Sequence, residues 1–186
     1  MTRFYDFNSL NFASFEKCED VLLDTGVILA YLNSYDSWHD TVAKLFENHI
    51  IGNDNVIFLY VNPAMMNEVT HLCDKPMRQY ADAHGDSFTE EDYAKTKSAT
   101  IDSLKNLIEN EIILVLEGNK NSILKQLRIF EVLGAADATY ASIANEYGIS
   151  LLTVDNRLVG NLDFVQNELP NIHNVYFTTP KHRSYR

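Results

Sequence analysis

Residues 134–156 read GAADATYASIANEYGISLLTVDN. Ala136, Tyr140, Ile143, Ala144 and Tyr147 recur at the spacing of one helical face, and Gly148 ends the pattern. Leu151, Leu152, Thr153 and Val154 then form a short apolar run that suits a buried parallel strand. A helix that feeds straight into a buried strand is the unit from which parallel sheets are built. Two carboxylates sit inside that unit against apolar surroundings. Asp137 flanks the helical stripe, and Asp155 directly follows the strand.

The same alternation extends in both directions. DVLLD (20–24) is a short apolar run, and TGVILAYLN after it begins a helix with Val27, Ile28, Tyr31 and Leu32 on one face. A second helical stripe follows at Val42, Leu45 and Phe46. NVIFLYV (55–61) is the next strand, followed by a helix with Pro63 in its first turn, where a missing N–H costs nothing. Thr89 and Asp92 form a capping box for a long helix through Asn110. EIILVLE (111–117) and NVYFTT (174–179) supply further strands, and Gly134 closes the helix between them that starts near Lys120. Residues 1–19 read as an extended or partly helical leader, and 74–87 as polar and irregular. This order predicts one α/β domain over 1–186, a three-layer α/β/α sandwich around a central, mostly parallel sheet.

Composition narrows the function classes. With 186 residues, 46% hydrophobic and 22% charged, the chain supports one well-buried core. No apolar run approaches the roughly 20 residues that cross a bilayer, and the N-terminus lacks the pattern of a signal peptide. Cys18 and Cys73 are the only cysteines, which suits a reducing compartment; no membrane partner and a cytoplasmic location are expected. A net charge of −11 argues against a general basic surface for nucleic acid. It leaves room for an enzyme that gathers cations in an acidic pocket and lets them meet phosphates. Charge is uneven: DAHGDSFTEED (82–92) holds five acids, whereas PKHRSYR (180–186) is a basic tail that reads as solvated or as an aid in holding an anion.

Asp24 and Asp155 each stand at the carboxyl end of a predicted strand, so parallel strands bring both to one sheet edge, where such folds bind ligands. Glu68 lies in the early turns of the helix after the second strand, and Asp137 opens the helix that feeds the 150–154 strand. Each acid alone has an ordinary explanation as a turn, cap or solvated helix residue. Together they place four like charges at one mouth. No lysine or arginine is a close sequence neighbour of Asp24, Glu68 or Asp137, although Arg157 is close to Asp155. Oxygen-only donors favour a hard cation, Mg²⁺ or Mn²⁺, over zinc.

Three segments, VLLDTGVILAYLNSYDSWHDTVAKLF, VNPAMMNEVTHL and LGAADATYASIANEYGISLLTVDNRL, occur in that order between Val21 and Leu158. Together they resemble the PIN-domain ribonucleases, especially the VapC-type toxins. The resemblance implies a Mg²⁺- or Mn²⁺-dependent endonuclease that cuts single-stranded or structured RNA, leaving a 5′-phosphate and a 3′-hydroxyl. Carried over by position, it implies Asp24, Glu68, Asp137 and Asp155 as catalytic metal ligands, with Thr153 in support. It also implies the toxin of a toxin–antitoxin pair, with an antitoxin partner and a homodimeric state. Residues 1–19 and 74–105, the latter a helical insertion, look extra relative to a compact toxin and suit a lid, a dimer surface or a substrate-selecting element. The net charge implies that RNA recognition is local or shared with a partner.

Trp38 and His39 read as helix packing and capping, and the other histidines show no shared metal spacing. The alternative reading is a catalytically silent PIN-like module that binds nucleic acid or serves as a scaffold. A dehalogenase-type phosphatase is disfavoured, because the position two after Asp24 is Gly26 rather than a second aspartate.

Overall fold

The computed structural model describes residues 1–51 and 55–179. Among these residues, six strands form one sheet: β1 (Arg3–Asp6), β2 (Glu19–Leu23), β3 (Ile57–Val61), β4 (Ile113–Val115), β5 (Ser150–Leu152) and β6 (Asn174–Phe177). Their order is β1-β6-β5-β2-β3-β4, and every neighbouring pair is parallel. Among the described residues, eight α-helices accompany the sheet: α1 (Thr25–Leu32), α2 (His39–Leu45), α3 (Pro63–Leu72), α4 (Lys75–His84), α5 (Glu90–Glu109), α6 (Lys120–Leu133), α7 (Ala135–Tyr147) and α8 (Asn156–Val165). The α/β sandwich expected from the alternation is the fold observed.

Parallel strands covered on both sides need apolar residues where they cross the core, and the central strands have them. Val21, Leu22, Leu23, Leu151, Leu152 and Val175 are all buried in one continuous core. In α7 the alanines Ala138, Ala141 and Ala144 are fully buried, and their small side chains let the helix lie close to the sheet. Gly148 ends α7 at φ 64°, the left-handed conformation that favours glycine, while the Ile149 N–H donates to the Ala144 carbonyl.

One local expectation is made specific and another is corrected. The N-terminal leader contains a strand, β1, which adds to the sheet edge beside β6. The segment 74–87 is mostly helical rather than irregular: Pro76 sits in the first turn of α4, where it removes no needed hydrogen bond, and Met77 and Ala81 are buried. α4 buries only Pro76, Met77 and Ala81 among polar residues, a stripe short enough to be missed in the sequence. No helix among the described residues is long and apolar enough to cross a membrane. The basic stretch 180–186 lies outside the described residues.

Strand order fixes where a ligand can bind. From β2 the chain proceeds outward through β3 to β4, whereas β5 and β6 build on the other side of β2. The order therefore reverses between β2 and β5, and crevices form at the carboxyl ends of strands at such switch points.

Candidate active site

A cleft of about 670 Å³ opens at that position and is lined by Asp24, Glu68, Asp137 and Asp155, among others. Asp24 directly follows β2 and forms the N-cap of α1. Asp155 lies just past β5 and caps α8, accepting from the backbone N–H of Arg157 (2.7 Å) and of Leu158 (3.3 Å). Glu68 projects from the middle of α3 rather than its early turns, and Asp137 from the first turn of α7.

Hydrogen bonds tie these acids to their neighbours. The Thr153 hydroxyl donates to Oδ2 of Asp24 (2.7 Å) and accepts from the backbone N–H of Asp155 (2.9 Å). One buried side chain thus spaces the two strand-end acids. Glu68 is held differently. Its Oε2 accepts from the Thr25 hydroxyl (2.7 Å) and from the phenol of Tyr140, and the Thr25 and Tyr140 oxygens lie 3.0 Å apart.

Thr25 and Tyr140 are site residues that sequence reasoning missed. Tyr140 reads as one more member of the apolar stripe, and Thr25 as the start of a helix. The available signal was spacing: Tyr140 lies three residues after Asp137, a separation that places two side chains on the same helical face. Burial of its phenol beside the Glu68 carboxylate holds the Tyr140 proton well above the ordinary tyrosine range.

The charges oppose one another. Asp24 is 8% exposed, and its pKa is pushed up from 3.8 to about 7, first by burial and then by Asp137 and Asp155. Hydrogen bonds from Thr153 and the Thr25 backbone pull the other way but do not prevail. Asp137 rises to about 6, through burial and then Asp155, with a smaller push from Glu68; Arg157 lowers it in part. Among the described residues, none of the four acids forms a salt bridge with a lysine or arginine.

Gly26 brings the backbone close. A Cβ there would stand 2.9 Å from Cγ2 of Val154 and 3.5 Å from Oδ2 of Asp24. Any side chain would push β5's exit away from the first turn of α1.

The donor set of four carboxylates fits a hard divalent cation that would relieve this repulsion. The acids do not stand as a ready cage, however. Among the described residues no group of three or more His, Cys, Asp or Glu side chains is arranged to hold a metal ion. Glu68 spends Oε2 on Thr25 and Tyr140, and Asp155 spends Oδ1 on the turn of α8. His39 bonds the Ala30 carbonyl through Nδ1 (2.8 Å), consistent with packing, whereas Trp38 does more than pack: it lines the cleft.

The PIN domain family profile matches residues 21–161, which include all four acids. The chain belongs to the PIN domain family. PIN domains are generally nucleases, and the cleft at the switch point is where this PIN domain gathers its acids. No curated protein matches the chain. Among solved structures, FitAB bound to an IR36 DNA fragment shares 15% identity at a TM-score of 0.52, over 84% of this chain and 94% of that one. FitAcB from Neisseria gonorrhoeae shares 16% identity at 0.49, over 87% and 99%. VapBC2 from Rickettsia felis, bound to a promoter DNA fragment, shares 13% at 0.48, over 84% and 98%. The likeness to FitAB is of fold.

Proposed function

We propose that this PIN domain is a divalent-metal-dependent endoribonuclease that hydrolyses RNA phosphodiester bonds in the cleft of Asp24, Glu68, Asp137 and Asp155, with Mg²⁺ or Mn²⁺ as cofactor. One observation carries the reading. Four carboxylates from four separate segments line a single crevice, and no lysine or arginine among the described residues pairs with any of them. A bound cation supplies a more acidic water and neutralises charge on the phosphoryl oxygens. Asp24, Glu68, Asp137 and Asp155 would hold it.

The chain's own residues do the rest. Thr153 fixes the Asp24 carboxylate against the turn that carries Asp155, so both acids keep one spacing. Thr25 and Tyr140 hold Glu68 at the wall of the cleft by one oxygen, leaving Oε1 without a protein partner among the described residues. Burial raises Asp24 and Asp137, and a charge interaction at a partly buried site is stronger than one in open solvent. No side chain acts as a covalent nucleophile, and the products carry a 5′-phosphate and a 3′-hydroxyl. The role as toxin of a toxin–antitoxin pair, an antitoxin partner and a homodimeric state belong to this proposal through the resemblance to VapC-type proteins.

The test is cleavage of RNA by the purified chain in Mg²⁺ or Mn²⁺, with loss of activity in EDTA and in Asp137→Asn. Calorimetry that shows no binding of either ion at millimolar concentration overturns the proposal. Binding of the ion with no cleavage across varied RNAs supports the silent module instead.

A further inference from the structure

A second space opens at the same edge of the sheet, apart from the four acids. It measures about 280 Å³ and shares no lining residue with the acidic cleft. Asn62 directly follows β3, and Glu117 lies two residues past β4, so the space sits at the carboxyl ends of those strands. Pro63 of α3, Ile123 of α6 and Ile143 of α7 give it apolar surface. Helices α3 and α7 therefore present residues to both spaces, since Glu68 and Asp137 belong to the cleft.

The polar groups of this second space are only partly satisfied. Asn62 is fully buried, and its Oδ1 caps α3 by accepting from the Met65 N–H (3.1 Å). Its Nδ2 is buried too and has no partner among the described residues. A buried N–H without an acceptor is destabilising, and native folds keep few of them. The hydroxyls of Thr139 and Ser142 already donate to the Ala135 and Thr139 carbonyls (both 2.9 Å), so they offer lone pairs only. Glu117 is exposed, and its carboxylate forms no ion pair among the described residues. No lysine or arginine among the described residues lines the space.

These groups define a ligand by complement. A chain of net charge −11 with no cation at this position repels phosphates, which argues against a nucleic-acid strand and against any free anion. The complement is an uncharged molecule with one acceptor for Asn62 Nδ2 and several N–H donors for Glu117, Thr139 and Ser142. The volume lies just below the roughly 300–1,000 Å³ of drug-sized sites, so it suits one small ring system with apolar faces. We infer that this space is a binding site for a free base or nucleoside of the guanine type. Its carbonyl accepts from Asn62, and its ring and exocyclic N–H groups donate to the acceptors, Glu117 foremost. The site is separate from the acidic cleft and does not depend on the nuclease reading.

Calorimetry of the full chain with guanosine tests the assignment, and saturable one-to-one binding is expected. Inosine keeps the carbonyl and the ring N–H but lacks the exocyclic amine, and should bind about tenfold more weakly. Adenosine has neither the carbonyl nor the ring N–H and should not bind measurably. Guanosine 5′-monophosphate adds negative charge and should bind about threefold more weakly, or worse. Glu117→Gln, at an exposed position that the fold tolerates, should weaken guanosine binding about tenfold. Asn62→Ser keeps a side-chain oxygen for the α3 cap, removes the amide donor and should weaken binding by about as much. Asp155→Asn, in the acidic cleft, should leave the affinity within about twofold.

No guanosine binding at millimolar concentration overturns the site. Equal binding of adenosine or of the monophosphate overturns the ligand class, and the proposal with it. Affinity unchanged in both Glu117→Gln and Asn62→Ser, or lost in Asp155→Asn alone, puts any ligand elsewhere and overturns the assignment as well. Guanosine binding by a chain that cleaves no RNA supports this site and counts against the nuclease reading, so the two fail separately.

Discussion

Replacing Asp24 by asparagine should make the metal-free protein more stable in alkaline solution, although the aspartate is proposed to be essential. Asp24 titrates at 3.8 in its ordinary state and at about 7 in the fold. At about 1.4 kcal/mol per pH unit, full ionisation of the native carboxyl therefore costs roughly 4 kcal/mol. The sign follows from the raised pKa. The stabilisation is complete below the unfolded value and is lost as pH rises through the folded one. Between about pH 5 and about pH 8.5 the wild type should lose roughly 3 kcal/mol through this group.

Asparagine cannot ionise, and its carbonyl can still accept from Thr153 as the carboxylate does now (2.7 Å). Asp137, raised to about 6, titrates in both proteins and largely cancels from the comparison. Guanidinium denaturation in EDTA at the two pH values measures both curves. The variant should gain roughly 3 kcal/mol on the wild type across the interval, and millimolar Mn²⁺ should restore the wild type at the higher pH but not the variant. Parallel pH curves for the two proteins would refute the account of Asp24 as a buried acid raised by its surroundings.

Three further outcomes follow from the geometry. Tyr140→Phe removes one donor to Glu68 and keeps the buried ring, so Mn²⁺ affinity by calorimetry should fall about tenfold or more while the fold persists. Gly26→Ala places a methyl 2.9 Å from Val154 Cγ2 and should cost about 1–3 kcal/mol by chemical denaturation, with partial recovery in combination with Val154→Ala. Glu19→Gln serves as a control far from the cleft. Glu19 accepts from Ser150, Asn174, Tyr176 and the Glu16 backbone, so an amide there faces donors with a donor. A loss of about 1–3 kcal/mol in stability with unchanged Mn²⁺ affinity is expected.

The sequence by itself determined the fold class. Apolar runs such as DVLLD and ISLLTV alternate with helical stripes, and that rhythm admits little besides a covered parallel sheet. It also singled out Asp24, Asp137 and Asp155 as carboxylates in apolar surroundings, and Glu68 by its place in the helix after the second strand. Thr153, two residues before Asp155, was legible only through the resemblance to PIN-domain ribonucleases.

Other features were decided only by the tertiary structure, since they depend on which distant segments meet. Strand β1 becomes recognisable by pairing with β6, about 170 residues away, and α4 by burying Met77 and Ala81. Tyr140 looked like core because its ring is core; only the approach of α3 and α1 turned its hydroxyl onto Glu68 and Thr25. Trp38, Lys75 and Arg157 are separated by long stretches of chain, and no spacing rule relates them. The reversal of strand order between β2 and β5 opens the crevice that brings them to one wall-lined space with the acids. Local pattern reports which residues need burial or charge relief, whereas strand order decides which of them share a pocket.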